Sequence, residues 1–244
     1  MENTPRRGVY VLPNLFTTAS LFAGFYAIIK AIGGDFQLAA SVIFIAMVLD
    51  GLDGRIARLT NTQSDFGAEY DSLADVIAFG LAPSVVLYLW GLSGYGKIGW
   101  LGAFVFTACG ALRLARFNTQ VHVASKSHFQ GLPIPAAAAT LAGLVWVAES
   151  PEVSGFIDDF AQPIALALVY LLGLFMVSNF RYKSFKDVDL RGRVPFVLAV
   201  IGVLIVALIA VHPPLVLFGA SLTYALSGPV LTLMQRRQRK EQRR

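Results

Sequence analysis

Charge is what this chain has least of. Asp, Glu, Lys and Arg together make up 14% of its 244 residues, against 56% hydrophobic ones. The mean hydropathy is +0.63. So little charge excludes an ordinary soluble domain and predicts an integral membrane protein. Cysteine is nearly missing too. The one thiol, Cys109, lies in an apolar stretch, so an intrachain disulfide is excluded and a free, buried thiol is expected. A cleavable leader is also lacking: Arg6 and Arg7 precede a long apolar run with no small-residue cleavage site behind it. No internal repeat and no separate soluble domain is visible.

What is there instead is a series of apolar stretches. They fall at about 9–32, 36–59, 67–90, 98–117, 133–148, 162–180, 194–211 and 215–234. About 20 helical residues cross a bilayer core, so the pattern predicts an all-α polytopic bundle of eight transmembrane helices, the fifth and seventh at the short end. Eight crossings put both termini on one side. Of 20 Lys and Arg, all but Lys30 and Lys97 fall on that side, six of them in the tail at 235–244. The positive-inside rule then places both termini at the cytoplasmic face of the inner membrane. Asp35, Glu149, Glu152, Asp158 and Asp159 fall on the opposite side, with Trp90, Trp100, Trp146 and Tyr95 as an interfacial belt. The basic loop at 181–193 marks a seam between a first unit, 1–180, and two further helices at 194–234. The basic tail is expected to rest on anionic lipid rather than on nucleic acid.

The rare acids are not scattered. Asp50, Asp53, Asp71 and Asp75 fall within one 26-residue stretch, DGLDGRIARLTNTQSDFGAEYDSLAD. Intramembrane carboxylates are costly and mark function. Asp50, Asp53, Gly54, Ala57 and Arg58 share one helical face, and Gly67, Asp71 and Asp75 share another. The short polar link from Leu59 to Phe66 predicts neighbouring antiparallel helices on which the four carboxylates converge. Two like charges about 4 Å apart cost on the order of 4 kcal/mol at an effective dielectric near 20. Divalent cations would remove that cost. All-oxygen ligands suit Mg²⁺, Mn²⁺ or Ca²⁺, and two metals would leave positions for phosphate oxygens. Gly54 and Gly67 permit close approach of a bulky ligand, and Arg58 is placed to grip a phosphate. Structural ion pairs with Arg55 and Arg58 are the bland alternative, but two arginines are too few for four acids.

The spacing Asp50-x2-Asp53-Gly54-x2-Ala57-Arg58-x8-Gly67-x3-Asp71-x3-Asp75 resembles the signature of the CDP-alcohol phosphotransferase family. LPNLFTTASLFAG in the first span, RLARFN after the fourth and FQGLPIPAAA before the fifth are most similar to its bacterial integral-membrane phosphatidylserine synthases. The resemblance implies a six-helix catalytic core within 1–180 and a homodimer. It also implies transfer of a phosphatidyl group from CDP-diacylglycerol to L-serine, with release of CMP. Mg²⁺ or Mn²⁺, two per site, would be held by Asp50, Asp53, Asp71 and Asp75, with Asp75 also the general base. Gly54, Ala57, Arg58 and Gly67 would line the CDP-lipid side. Thr17 would reach the nucleotide, while Asn14 either does the same or caps the first span.

A second polar group lies on the same side: Arg113, Arg116, Asn118, His122, Lys126, His128 and Gln130. Arg113, Arg116 and Lys126 are candidates for the anionic group of the acceptor; snorkelling and positive-inside anchoring are the alternative for the two arginines. Other alcohols remain open at this point, namely glycerol phosphate, inositol phosphate or choline. So does an ion-coupled transporter, which would show broken helices in two matching halves. The last two spans carry no legible chemistry.

Overall fold

The computed structural model describes residues 11–60, 62–120, 128–151, 154–183 and 196–241. Helix α1 (Val11–Ile32) and helix α2 (Phe36–Leu59) form a tight antiparallel pair. Gly34, at φ +80°, turns the chain between them, and Asp35 caps α2 by accepting from the Leu38 N–H at 3.2 Å. Buried Ala23, Ala27 and Ala31 on α1 and Ala39, Ala40 and Ala46 on α2 let the two backbones lie close. Ser20 donates to the Ala46 carbonyl at 3.0 Å across that seam.

Helix α3 (Asp65–Asp75) starts at Ser64, whose hydroxyl accepts from the Gly67 N–H. It runs without a break through a π-helical turn (Val76–Leu81), α4 (Ala82–Leu87) and a second π-helical turn (Tyr88–Leu92). Pro83 supplies no N–H to the ladder just past the first π-helical turn. Thr107 of the following helix packs its hydroxyl there, 3.2 Å from the Gly80 carbonyl and 3.1 Å from the Ala103 carbonyl, with the Ser84 hydroxyl hydrogen-bonded to it at 2.9 Å. The chain reverses at Ser93–Gly96, where Gly96 has φ +55°. Helix α5 (Gly96–Gln120) then returns antiparallel, so that Thr107 meets Ser84 and Asn118 meets Ser72.

Helix α6 (Ile134–Ala148) is the hub. Almost all of it is buried, and it packs on α2, α4, α7 and α9. Helix α7 (Ser154–Val177) lies along α5. Two short strands, β1 (His128–Gln130) and β2 (Arg181–Lys183), pair antiparallel and tie the segment before α6 to the segment after α7. Gly131 follows at φ +78°, and the N–H of Leu132 caps the end of α7 on the Phe175 carbonyl at 3.0 Å. Helix α8 (Phe196–Val211) packs against α9 (Pro213–Glu241), and α9 packs against α6.

Large apolar side chains cover the outside, among them Phe22, Phe25, Val48, Phe104, Leu174 and Val203. An aqueous exterior would penalise that surface and lipid does not, so the chain is an integral membrane protein. Among the described residues, five helical runs are long and apolar enough to cross a bilayer. One of them, Asp65–Thr119, is 55 residues long and folds back on itself; Ile134–Ala148 and Gly202–Val211 are shorter apolar helices.

Two helices run past their apolar spans: the one carrying Phe160–Val177 starts at Ser154, and the one carrying Pro213–Met234 stays helical to Glu241. One expectation needs adjustment: α2 and α3 are not simply packed on each other. Helix α1 lies along both, and the two approach across a gap at the carboxylates. The sequence signal was the short connector, which fixes proximity but not how far two like-charged faces stand apart.

Candidate functional site

The gap is a cavity of about 400 Å³. Asn14 and Thr17 line it from α1, Asp53, Gly54, Ala57 and Arg58 from α2, and Gly67 and Asp71 from α3. All eight were named from the sequence. Asp50, Asp53 and Asp71 each bring a carboxylate oxygen within 4.8 Å of the other two. Asp75, expected as a fourth member, is not one of that trio; it lies one turn beyond Asp71 on α3, next to Asp50. The oxygen-only donor set, its spacing and its opening onto a cavity therefore fit hard divalent cations. Arg55 and Arg58 are both exposed, and Arg58 lines the cavity.

Asp53 is 5% exposed, and its orientation is set by Thr17, whose hydroxyl donates to Oδ2 at 2.6 Å. The same hydroxyl lies 3.3 Å from the Pro13 carbonyl. Gly54 is open: an added Cβ would meet only the tip of Arg58, at 3.9 Å. Gly67 is tighter. A Cβ there would stand 3.1 Å from the Ser64 hydroxyl and 3.5 Å from the Asn14 amide oxygen. Asn14 sits inside α1 with its side chain at the cavity, so the helix-capping alternative does not describe it.

The acceptor candidates separate. Arg113 is 9% exposed, with Asp75 and Tyr224 as its charged and polar neighbours. Its Nε has no hydrogen-bond partner among the described residues. Arg116 is engaged elsewhere, donating to Gln130 Oε1 at 2.8 Å and to Asn179 Oδ1 at 2.9 Å. It braces the end of α5 against the segments flanking α6 and α7. Lys126 lies outside the described residues, as does His122. Asn118 donates to Ser72 at 3.1 Å, beside Asp71 on α3.

Several wall residues were not foreseen. Thr62, Gln63 and Ser64 line the cavity from the α2–α3 link, and Phe117 closes it from α5. Ser64 carried a legible signal, a cap residue just ahead of a helix. Phe117 carried none, since an aromatic at a helix end is equally at home facing lipid.

The family model described as CDP-alcohol phosphatidyltransferase matches residues 10–177. A CDP-diacylglycerol–serine O-phosphatidyltransferase of Helicobacter pylori (strain ATCC 700392 / 26695) is 40% identical over 222 residues, 91% of this chain and 92% of its own length. One of Methanocaldococcus jannaschii is 33% identical over 181 residues, 74% of this chain and 78% of its own. One of Mycobacterium tuberculosis (strain ATCC 25618 / H37Rv) is 43% identical over 148 residues, 57% of this chain and 51% of its own. The matched residues include the whole carboxylate cluster and every helix that lines the cavity, and this chain belongs to the CDP-alcohol phosphatidyltransferase family.

Proposed function

We propose that this protein transfers the phosphatidyl group of CDP-diacylglycerol to the hydroxyl of L-serine, releasing CMP and forming phosphatidylserine. The convergence of Asp50, Asp53 and Asp71 on a cavity of nucleotide size carries this reading. The acceptor rests on the names of the relatives, above all the one that matches nearly end to end. Family membership displaces the transporter alternative.

Asp50, Asp53, Asp71 and Asp75 would hold the divalent cations, Mg²⁺ or Mn²⁺, two per site. Cations held by these carboxylates would supply positive charge to offset that of the pyrophosphate and the departing CMP. Arg58, at the cavity wall, grips a phosphate of the nucleotide. Asn14, Thr62 and Gln63 offer polar groups to the ribose and base. Asp75 takes the proton of the serine hydroxyl, the hydroxyl oxygen bonds to the lipid-bearing phosphorus, and the bond from that phosphorus to the CMP oxygen breaks. Arg113 faces Asp75 and receives the acceptor's anionic group; Arg116 keeps the bracing role its two hydrogen bonds give it. Positioning and charge neutralisation supply most of the rate.

The 55-residue run counts as two crossings, because it reverses at Ser93–Gly96, and the two shorter apolar helices bring the total to eight. Both termini and the carboxylate cluster then face the cytoplasm, where CDP-diacylglycerol enters sideways from the inner leaflet. The homodimer implied by the family resemblance is read out by the mass of the purified protein in detergent.

The test is CMP release by the purified protein with CDP-diacylglycerol and serine, for the native chain and for Asp75→Asn. The substitution should reduce turnover by at least about a hundredfold while CDP-lipid binding stays measurable. Equal loss of binding and turnover would remove Asp75 from the role of base, and CMP release indifferent to serine would remove serine as acceptor.

A further inference from the structure

Helix α9 lies beyond the family match at 10–177, yet it comes up to Arg113. Tyr182, fully buried on β2, donates from its hydroxyl to the Ala225 carbonyl of α9 at 2.9 Å. Its ring lies against Gly228, where a Cβ would run into the ring itself. It also contacts the Tyr224 ring, with centroids 5.5 Å apart and planes at 43°. Three contacts within two helical turns fix the rotation of α9, and the face so fixed presents Tyr224 to Arg113.

Arg113 is the anomaly that this placement explains. It is nine-tenths buried, its Nε is unmatched among the described residues, and Asp75 is its other neighbour. A buried guanidinium with an unused N–H is costly unless something accepts from it. In serine, three bonds separate the hydroxyl oxygen from the carboxylate carbon. A carboxylate site must therefore adjoin the base that takes the hydroxyl proton, and Arg113 adjoins Asp75.

We infer that Tyr224 is a specificity-determining residue: its hydroxyl and the Arg113 guanidinium together hold the carboxylate of the acceptor. This rests on the serine reading given above. One guanidinium and one phenol hydroxyl match a single planar carboxylate. A phosphorylated acceptor would call for a denser set of cations, and Arg116 is committed to Gln130 and Asn179. Helix α9 thus supplies the wall that distinguishes an amino-acid acceptor from a sugar phosphate.

The experiment compares the native chain with Tyr224→Phe in the full-length purified protein, varying serine and CDP-diacylglycerol in turn. The substitution keeps the ring against Tyr182, so the fold is preserved. The serine KM should rise about tenfold, equivalent to about 1.4 kcal/mol. The kcat and the KM for CDP-diacylglycerol should stay within about twofold, inside the spread of a change that touches neither. A serine KM within twofold of native, or a loss shared equally by the CDP-lipid KM, overturns the assignment while leaving the proposed function standing. No serine-dependent CMP release from the native chain overturns both.

Discussion

Thr17 shows how one side chain can tune the whole site. Its hydroxyl has one proton, and the 2.6 Å contact to Asp53 Oδ2 outcompetes the 3.3 Å contact to the Pro13 carbonyl. That bond holds a nearly buried carboxylate in the orientation that brings it within reach of Asp50 and Asp71. Groups that orient ligands typically contribute tenfold or more to metal affinity. Thr17→Val, which keeps the shape and deletes the donor, is therefore expected to raise the Mg²⁺ concentration for half-maximal CMP release by about tenfold. A metal titration of the purified variant reads this directly, and an unshifted midpoint would mean that Asp53 is oriented by packing alone. Tyr182 differs in kind. Burial, with Tyr224 adding to it, holds its hydroxyl well above the usual phenol range. It therefore stays a donor to Ala225 at any working pH.

Individual elements are shaped by where their backbone groups find partners in a medium without water. The run from α3 through α4 loses regular bonding near Pro83, where the Thr107 hydroxyl of α5 meets the Ser84 hydroxyl of α4. The segment leading into α6 closes the end of α7 through the Leu132 N–H, which donates to Phe175 at 3.0 Å, while the Gly131 N–H donates to Phe180 at 2.9 Å beside the β1–β2 pair. Only glycine fits at 131, because φ is +78° and a Cβ would strike the Met176 carbonyl oxygen. Gly131→Ala is expected to cost at least about 1–2 kcal/mol from the left-handed backbone alone. Thermal unfolding in detergent should show a midpoint lower by about 2–8 °C for a chain of this size. An unchanged midpoint would mean that the β1–α6 junction opens before the helices separate.

At the scale of the molecule, polar chemistry collects at one end of the bundle. The carboxylates, Arg58, Arg113 and the β1–β2 pair lie there. At the far end, Trp90 donates to Glu149 at 2.7 Å, near the reversal at Ser93–Gly96. The proposed orientation can be tested with single cysteines in a Cys109→Ser background. Lys97→Cys should react with a membrane-impermeant thiol reagent applied to intact cells, and Arg181→Cys only after lysis. The reverse labelling would invert the topology and move the site to the other face.

Much of this was legible in order along the chain. The helical class and the rough limits of the long apolar stretches follow from a bilayer that accepts only long apolar helices. The eight cavity residues from Asn14 to Asp71 that were named beforehand lie close in sequence, so helical spacing alone puts them on shared faces. Asp75, four residues past Asp71, follows the same logic. Contacts between distant segments were not legible. Nothing in the spacing of Arg116, Gln130 and Asn179 shows that they meet, or that His128–Gln130 pairs with Arg181–Lys183. Phe117 reached the cavity, and Tyr224 the neighbourhood of Arg113, without any local signature. By itself the sequence determined the membrane class, the helical periodicity and the acidic cluster, because each depends on neighbours within a few turns. Only the tertiary structure decided that Arg116 is tied to Gln130 and Asn179 while the Arg113 Nε has no partner among the described residues, and that Tyr182 docks the last helix. Those outcomes depend on how helices rotate and pack against one another, which no local pattern encodes.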